Sequence, residues 1–132
     1  MVTPAQRRDD VRIKRILVVD DSPTERHVLN DMLTKAGYEV VSCESGEDAI
    51  VKAKHIKPDL ILMDVEMPRM TGIEACRELR RNDTTRNTPI VLLTMRDERE
   101  AVKAGFDSGC SEYLLKPLTE EKLRVVLDKY LR

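Results

Sequence analysis

Apolar residues in this chain gather into four short blocks. These are Ile16-Leu17-Val18-Val19, Leu60-Ile61-Leu62-Met63, Ile90-Val91-Leu92-Leu93 and Tyr113-Leu114-Leu115. Continuous apolar runs of this length, with helical patterns between them, read as strands of a parallel sheet buried on both faces. A first strand is predicted over 15–20 and a helix over 23–36. Ser22 is its N-cap, Pro23 its first helical residue, and Glu25 completes an S-x-x-E capping box. Val28, Leu29, Met32, Leu33 and Ala36 recur at helical spacing and are expected to face the core. Gly37 stops the helix.

The same alternation continues along the chain. A second strand is predicted over 38–43, and a helix capped by Ser45 over 46–56, with Ala49, Ile50, Ala53 and Ile56 inward. The third strand covers 60–63 and leads into the turn-rich Met67-Pro68-Arg69-Met70-Thr71-Gly72. A third helix over 72–81 turns Ile73, Cys76 and Leu79 inward. The fourth strand covers 89–93. The fourth helix, 97–104, is highly charged with few apolar anchors, and Gly105 and Gly109 come after it. A fifth strand over 112–115 precedes a helix capped by Thr119, with Leu123, Val126, Leu127, Tyr130 and Leu131 on one face. Five β-α units imply a doubly wound α/β sandwich with right-handed crossovers. Periodicity alone leaves the strand order open.

Composition narrows the class. At 132 residues, 41% hydrophobic and 36% charged, the chain reads as one globular domain. A net charge of -1 argues against a nucleic-acid or membrane surface. The first 15 residues carry Arg7, Arg8, Arg12, Lys14 and Arg15 against Asp9 and Asp10, so residues 1–14 are expected to be a flexible basic leader before a domain at 15–132. No apolar run nears the ~20 residues of a membrane helix, and the start is not a signal peptide. Cys43, Cys76 and Cys110 are far apart, which speaks against a disulfide framework or zinc site. A cytoplasmic protein is the expectation.

The carboxyl ends of the blocks carry the chemistry. Asp20-Asp21, Asp64, Thr94 and Lys116-Pro117 stand there, and ligands of such sheets bind at that edge. Crowded carboxylates repel unless a cation lies between them, and hard oxygen ligands suit Mg²⁺. A carboxylate can itself be the nucleophile that forms an aspartyl phosphate. Lys116 can neutralise phosphate oxygens and Thr94 can donate to one of them. Each residue alone is an ordinary strand-end or surface residue; together they converge on one patch. His27 and His55 lie on predicted helices without carboxylate partners and are read as surface residues.

Val18-Val19-Asp20-Asp21-Ser22, Leu62-Met63-Asp64-Val65-Glu66-Met67-Pro68 with Gly72, Leu93-Thr94, and Tyr113-Leu114-Leu115-Lys116-Pro117-Leu118 together resemble the receiver (CheY-like) domain of bacterial two-component response regulators. The resemblance covers residues 14–131. It implies a flavodoxin-like fold with strand order 2-1-3-4-5. It implies that Asp64 is the phosphoacceptor, taking a phosphoryl group from a phosphohistidine of a sensor histidine kinase or histidine phosphotransfer protein. Mg²⁺, with Mn²⁺ as the alternative, is then held by Asp21, Asp64 and the Glu66 backbone carbonyl, with Asp20 acting largely through water. Lys116 holds phosphoryl oxygens, Thr94 swings toward them, and Tyr113 follows inward. The Lys116-Pro117 bond is expected to be cis, and the changed surface to lie on helix 4, strand 5 and helix 5.

Two features depart from the common pattern. Met95 stands where receivers generally carry a small residue and either narrows access or lies on the surface. Glu66 and Arg96 flank the site mouth and are expected to pair over the phosphoryl group, shielding it from water. The chain ends just after the last helix, so a stand-alone receiver signalling to an unidentified downstream protein is expected, with a homodimer as one phosphorylated form. The alternative is the receiver part of a regulator with a DNA-binding or enzymatic output domain. A pseudo-receiver disagrees with the complete residue set. A hydrolase needs a second acid/base carboxylate that no D-x-D pattern supplies around Asp64, so a switch rather than an enzyme is expected.

Overall fold

The computed structural model describes residues 12–132. Five parallel strands, β1 (Arg15–Val19), β2 (Glu39–Cys43), β3 (Leu60–Asp64), β4 (Ile90–Thr94) and β5 (Glu112–Leu115), form one sheet in the order β2-β1-β3-β4-β5. Five helices alternate with them: α1 (Pro23–Lys35), α2 (Gly46–Ile56), α3 (Gly72–Arg81), α4 (Arg99–Asp107) and α5 (Glu120–Leu131). This is the flavodoxin-like doubly wound arrangement, with the strand order reversing at β1 and β3.

The continuous apolar blocks have a direct cause. Successive strand side chains point to opposite faces, and both faces of the sheet are covered. Leu17, Val19, Ile61, Met63, Ile90 and Leu92 pack against Ala49, Ala53, Ala75, Cys76 and Leu79 of α2 and α3. Ile16, Val18, Leu60, Leu62, Val91 and Leu93 pack against Leu29 and Leu33 of α1 and Leu123, Val126, Leu127 and Leu131 of α5. The central strands therefore have no wet side, and alternation is invisible in their sequence.

Several local expectations are corrected. Val28 and Ala36 of α1 are exposed, because the helix rests on a narrow stripe through Leu29 and Leu33. The capping box at Ser22 is half formed. Ser22 Oγ accepts from the Glu25 amide at 3.3 Å, while the Ser22 amide donates to Asp20 Oδ1 at 2.9 Å. A complete box instead opens α3, where Thr71 and Glu74 exchange bonds of 3.0 and 3.2 Å. Helix α4 begins later than expected and continues through Gly105 to Asp107. Gly105 is inside the helix because the Tyr113 ring lies against it: a Cβ there would be 2.6 Å from Tyr113 Cδ2.

Of the expected leader, residues 1–11 lie outside the described residues. Arg12 donates to both carboxylate oxygens of Asp59, at 3.1 and 2.8 Å, at the amino end of the sheet and away from the site. Among the described residues, no helix is long and apolar enough to cross a membrane.

Candidate phosphoryl-acceptor site

The sheet hydrogen bonds run past the strand ends and align the functional residues. The Asp20 amide donates to Cys43 O (3.1 Å), the Val65 amide to Leu93 O (2.9 Å), and the Lys116 amide to Thr94 O (2.8 Å). Asp20, Asp64, Thr94 and Lys116 therefore sit side by side along one sheet edge. The Lys116-Pro117 peptide is cis, as the resemblance implied. The loop after Asp64 folds back tightly. The Gly72 amide donates to Val65 O at 2.9 Å, and a Cβ on Gly72 would lie 2.3 Å from Asp64 O. Glycine is required there by this close approach.

Asp20, Asp21 and Asp64 each present a carboxylate oxygen, and these oxygens lie within 4.8 Å of one another. Asp20 and Asp64 are buried, at 1% and 4% exposure, and Asp21 faces outward. Burial pushes the Asp20 carboxyl up to about 7, against the Ser22 amide that stabilises its ionised form and with the neighbouring Glu25 carboxyl and then the Asp64 charge adding to the rise. Burial also raises Asp64, with Lys116 opposing it. Asp64 Oδ1 lies 3.0 Å from Lys116 Nζ but accepts no aligned hydrogen bond and is fully buried. We read the contact as ionic, since its distance is good and its angle is not. Two buried carboxyls held above their ordinary range mark a place short of positive charge. A hard divalent cation such as Mg²⁺ fits this all-oxygen set.

The ammonium that meets this cluster is Lys116. Its Nζ lies 2.9 Å from Glu25 Oε2, 3.0 Å from Asp64 Oδ1 and 3.8 Å from Asp20 Oδ2. Burial alone would lower its pKa, but Glu25 and Asp64 outweigh burial and raise it, so the charge is fixed. Glu25 is correspondingly held below the usual carboxylate range, chiefly by Lys116.

Thr94 is fully buried, and its hydroxyl is already engaged. Oγ1 donates to Glu66, whose carboxylate oxygens lie at 2.7 and 2.9 Å, and accepts from the Arg96 amide at 3.1 Å. The expected Glu66–Arg96 ion pair is not formed. Arg96 Nε pairs with Glu98 Oε2 at 3.3 Å, and Glu66 turns to Thr94. The Tyr113 hydroxyl donates to Arg96 O at 2.8 Å, so the ring lies along the β4–α4 loop. Met95 is 72% exposed and lines a groove of about 360 Å³ with Val28, Leu29, Met32, Leu93 and Pro117, which also reaches Asp20, Glu25 and Lys116 of the site.

The residues expected to converge do so: Asp20, Asp21, Asp64 and Lys116 in one cluster, and Thr94 with Glu66 beside it. His27 is exposed on α1, and the His55 ring nitrogen lies 2.9 Å from Val51 O; neither reaches the site. The residue that sequence reading assigned elsewhere is Glu25. Its S-x-x-E spacing marks a helix cap, and only the docking of α1 beside the β5–α5 loop reveals its place on Lys116.

A doubly wound sheet with paired carboxylates after β1, an aspartate ending β3, a hydroxyl ending β4 and Lys-Pro after β5 defines a receiver. The chain belongs to the response regulator receiver domain family, whose profile matches residues 16–128. Among particular relatives it is 39% identical to protein PilH of Pseudomonas aeruginosa, over 89% of this chain and 97% of that one. It is 35% identical to the chemotaxis protein CheY of Thermotoga maritima, over 88% and 96%. It also spans 49% of the alkaline phosphatase synthesis transcriptional regulatory protein PhoP of Bacillus subtilis, at 37% identity. Among solved structures it is similar to the chemotaxis protein CheY4 of Vibrio cholerae, with a TM-score of 0.85, 35% identity, and coverage of 90% and 99%. It is also similar to the receiver domain of a sensor histidine kinase of Pseudomonas aeruginosa PAO1 that has a magnesium ion coordinated in its active-site cleft (TM-score 0.84, 31% identity, coverage of 89% and 97%).

Proposed function

We propose that this receiver is a phosphoacceptor switch in which Asp64 takes a phosphoryl group from a phosphohistidine of a sensor kinase or phosphotransfer protein. The observation that carries this reading is the buried Asp64 carboxylate, held between Lys116 and two further aspartates at the carboxyl edge of the sheet. An Asp64 carboxylate oxygen attacks phosphorus. The P–N bond to the donor imidazole breaks as the acyl P–O bond forms, and the imidazole leaves neutral after taking up a proton.

Asp20, Asp21, Asp64 and the Glu66 backbone carbonyl are the groups that would hold Mg²⁺ or Mn²⁺. When bound, the cation neutralises charge as phosphate oxygens approach the carboxylates. Lys116 binds phosphoryl oxygens on the other side. Thr94 must exchange Glu66 for a phosphoryl oxygen, and Tyr113 must leave Arg96 O to turn inward. Both movements change the face formed by α4, β5 and α5, the surface a downstream protein reads. The chain is a switch rather than a turnover enzyme, and it works in the cytoplasm as a stand-alone regulator. PilH and CheY, spanned almost end to end, favour that over the receiver part of a larger regulator such as PhoP.

Intact-protein mass spectrometry after incubation with a small-molecule phosphodonor and Mg²⁺ tests the reading. One added phosphoryl group is expected on wild type and none on Asp64→Ala. An unmodified, folded wild type that binds Mg²⁺ would instead move a pure interaction module to the front.

A further inference from the structure

Three carboxylates lie within 4 Å of the Lys116 ammonium, and two of them, Asp20 and Asp64, are accounted for by the cation cluster. The third, Glu25, is not among the three aspartates brought within ligating distance of one another. Nor does it serve the cap its spacing suggests, because the Ser22 amide donates to Asp20 instead. Its carboxylate is directed to Lys116, at 2.9 Å. Glu25 is 48% exposed and Lys116 only 16%, so Glu25 holds the ammonium from the solvent side of the pocket.

From this geometry we infer that Glu25 is a positioning residue that occupies Lys116 in the resting site and lowers the affinity of Asp64's surroundings for a phosphoryl group. The inference rests on the phosphoacceptor reading and deepens it. A phosphoryl group brings roughly -1.5 to -2 charges and seeks the same Nζ protons that Glu25 now accepts. An ammonium has three donors. One is committed to Glu25, leaving two for Asp64 and Asp20, 3.0 and 3.8 Å away. An arriving tetrahedral anion must either share the ammonium with Glu25 at close like-charge range or displace it. Glu25 therefore sets how readily the site fills, by acting through Lys116 and without touching the reacting atoms.

The test uses beryllium trifluoride, a tetrahedral phosphoryl mimic, titrated into the full chain with saturating Mg²⁺ and followed by fluorine NMR. Wild type is expected to bind and Asp64→Asn is not. Glu25→Gln, which keeps the shape and removes the charge, is expected to bind roughly three- to tenfold tighter, the scale of one partly screened charge at short range. That gain is expected to shrink as ionic strength rises, which a packing role would not produce. In a Lys116→Ala background the gain from Glu25→Gln is expected to shrink markedly, because the larger part of the coupling runs through the ammonium.

Equal or weaker binding by Glu25→Gln overturns the inference while leaving the phosphoacceptor reading standing. So does a gain that is undiminished without Lys116. Failure of wild type and every variant to bind overturns the phosphoacceptor reading, and this inference with it.

Discussion

Thr94 has one hydroxyl proton, and in the resting site it belongs to Glu66. A hydroxyl donates once, so Thr94 cannot serve a phosphoryl oxygen until Glu66 lets go. Glu66→Ala is therefore expected to raise the initial rate of phosphoryl uptake from a small donor a few-fold, read by mass spectrometry over time; an unchanged or lower rate would count against the clasp. A second residue-scale prediction concerns Glu112, at the outer edge of β5. The Lys129 ammonium and the Tyr130 hydroxyl on its carboxylate hold its pKa below the ordinary 4.5. A depressed carboxyl contributes stability that is present above the unfolded value and lost as pH falls through the folded one. Glu112→Gln is expected to lower Tm at neutral pH, and the gap to wild type should close in thermal melts taken below about pH 4.5. At this scale the sequence discloses residue type and position but not partner. Asp64 and Lys116 can be named because strand ends converge in any parallel sheet. The choice of Thr94 over Arg96 by Glu66 depends on side-chain reach, which spacing does not encode.

Elements were legible where local chemistry and tertiary packing agreed. The span of α2 follows from Ser45 and Ile56, and the structure returns it unchanged. The end of α4 was hidden because Gly105 normally interrupts a helix; here it is kept inside by the Tyr113 ring, a contact 8 residues away that no local pattern carries. The apolar stripe of α1 is narrower than helical spacing implies, because Val28 and the C-cap Ala36 fit that spacing but are exposed. The β3–α3 connection offers the test at this scale. Gly72→Ala puts a methyl against the Asp64 carbonyl, and overpacking against backbone costs about 1–3 kcal/mol. A matching loss in urea denaturation is expected, with slower phosphoryl uptake because the same shift displaces the phosphoacceptor loop. Full stability in Gly72→Ala would show that the loop can move away without cost.

For the molecule as a whole, the apolar layers and the acidic edge pull in opposite directions. Both faces of the sheet are filled by apolar side chains drawn from four helices, and that burial is the main stabilising contribution. At the carboxyl edge two buried aspartates sit beside a third, with one ammonium among them and a buried Asp64 oxygen lacking an aligned donor. Buried charge without full compensation costs stability, so the site weakens the fold that carries it. Two consequences separate such a strained cluster from a neutral surface patch. Without divalent cations, Asp64→Asn is expected to melt above wild type, because it removes a buried charge while Lys116 keeps Glu25. With Mg²⁺ at about a hundredfold its dissociation constant, wild type should gain about 2.7 kcal/mol, the value set by mass action for a ligand that binds only the folded state. That is several degrees in Tm for a domain of this size. Asp21→Asn removes the exposed carboxylate of the cluster and should abolish most of the gain, while Glu112→Gln, at the outer edge strand, should keep it. A Mg²⁺ shift equal in wild type and Asp21→Asn would place the cation elsewhere and remove the reason for three acids to share one edge.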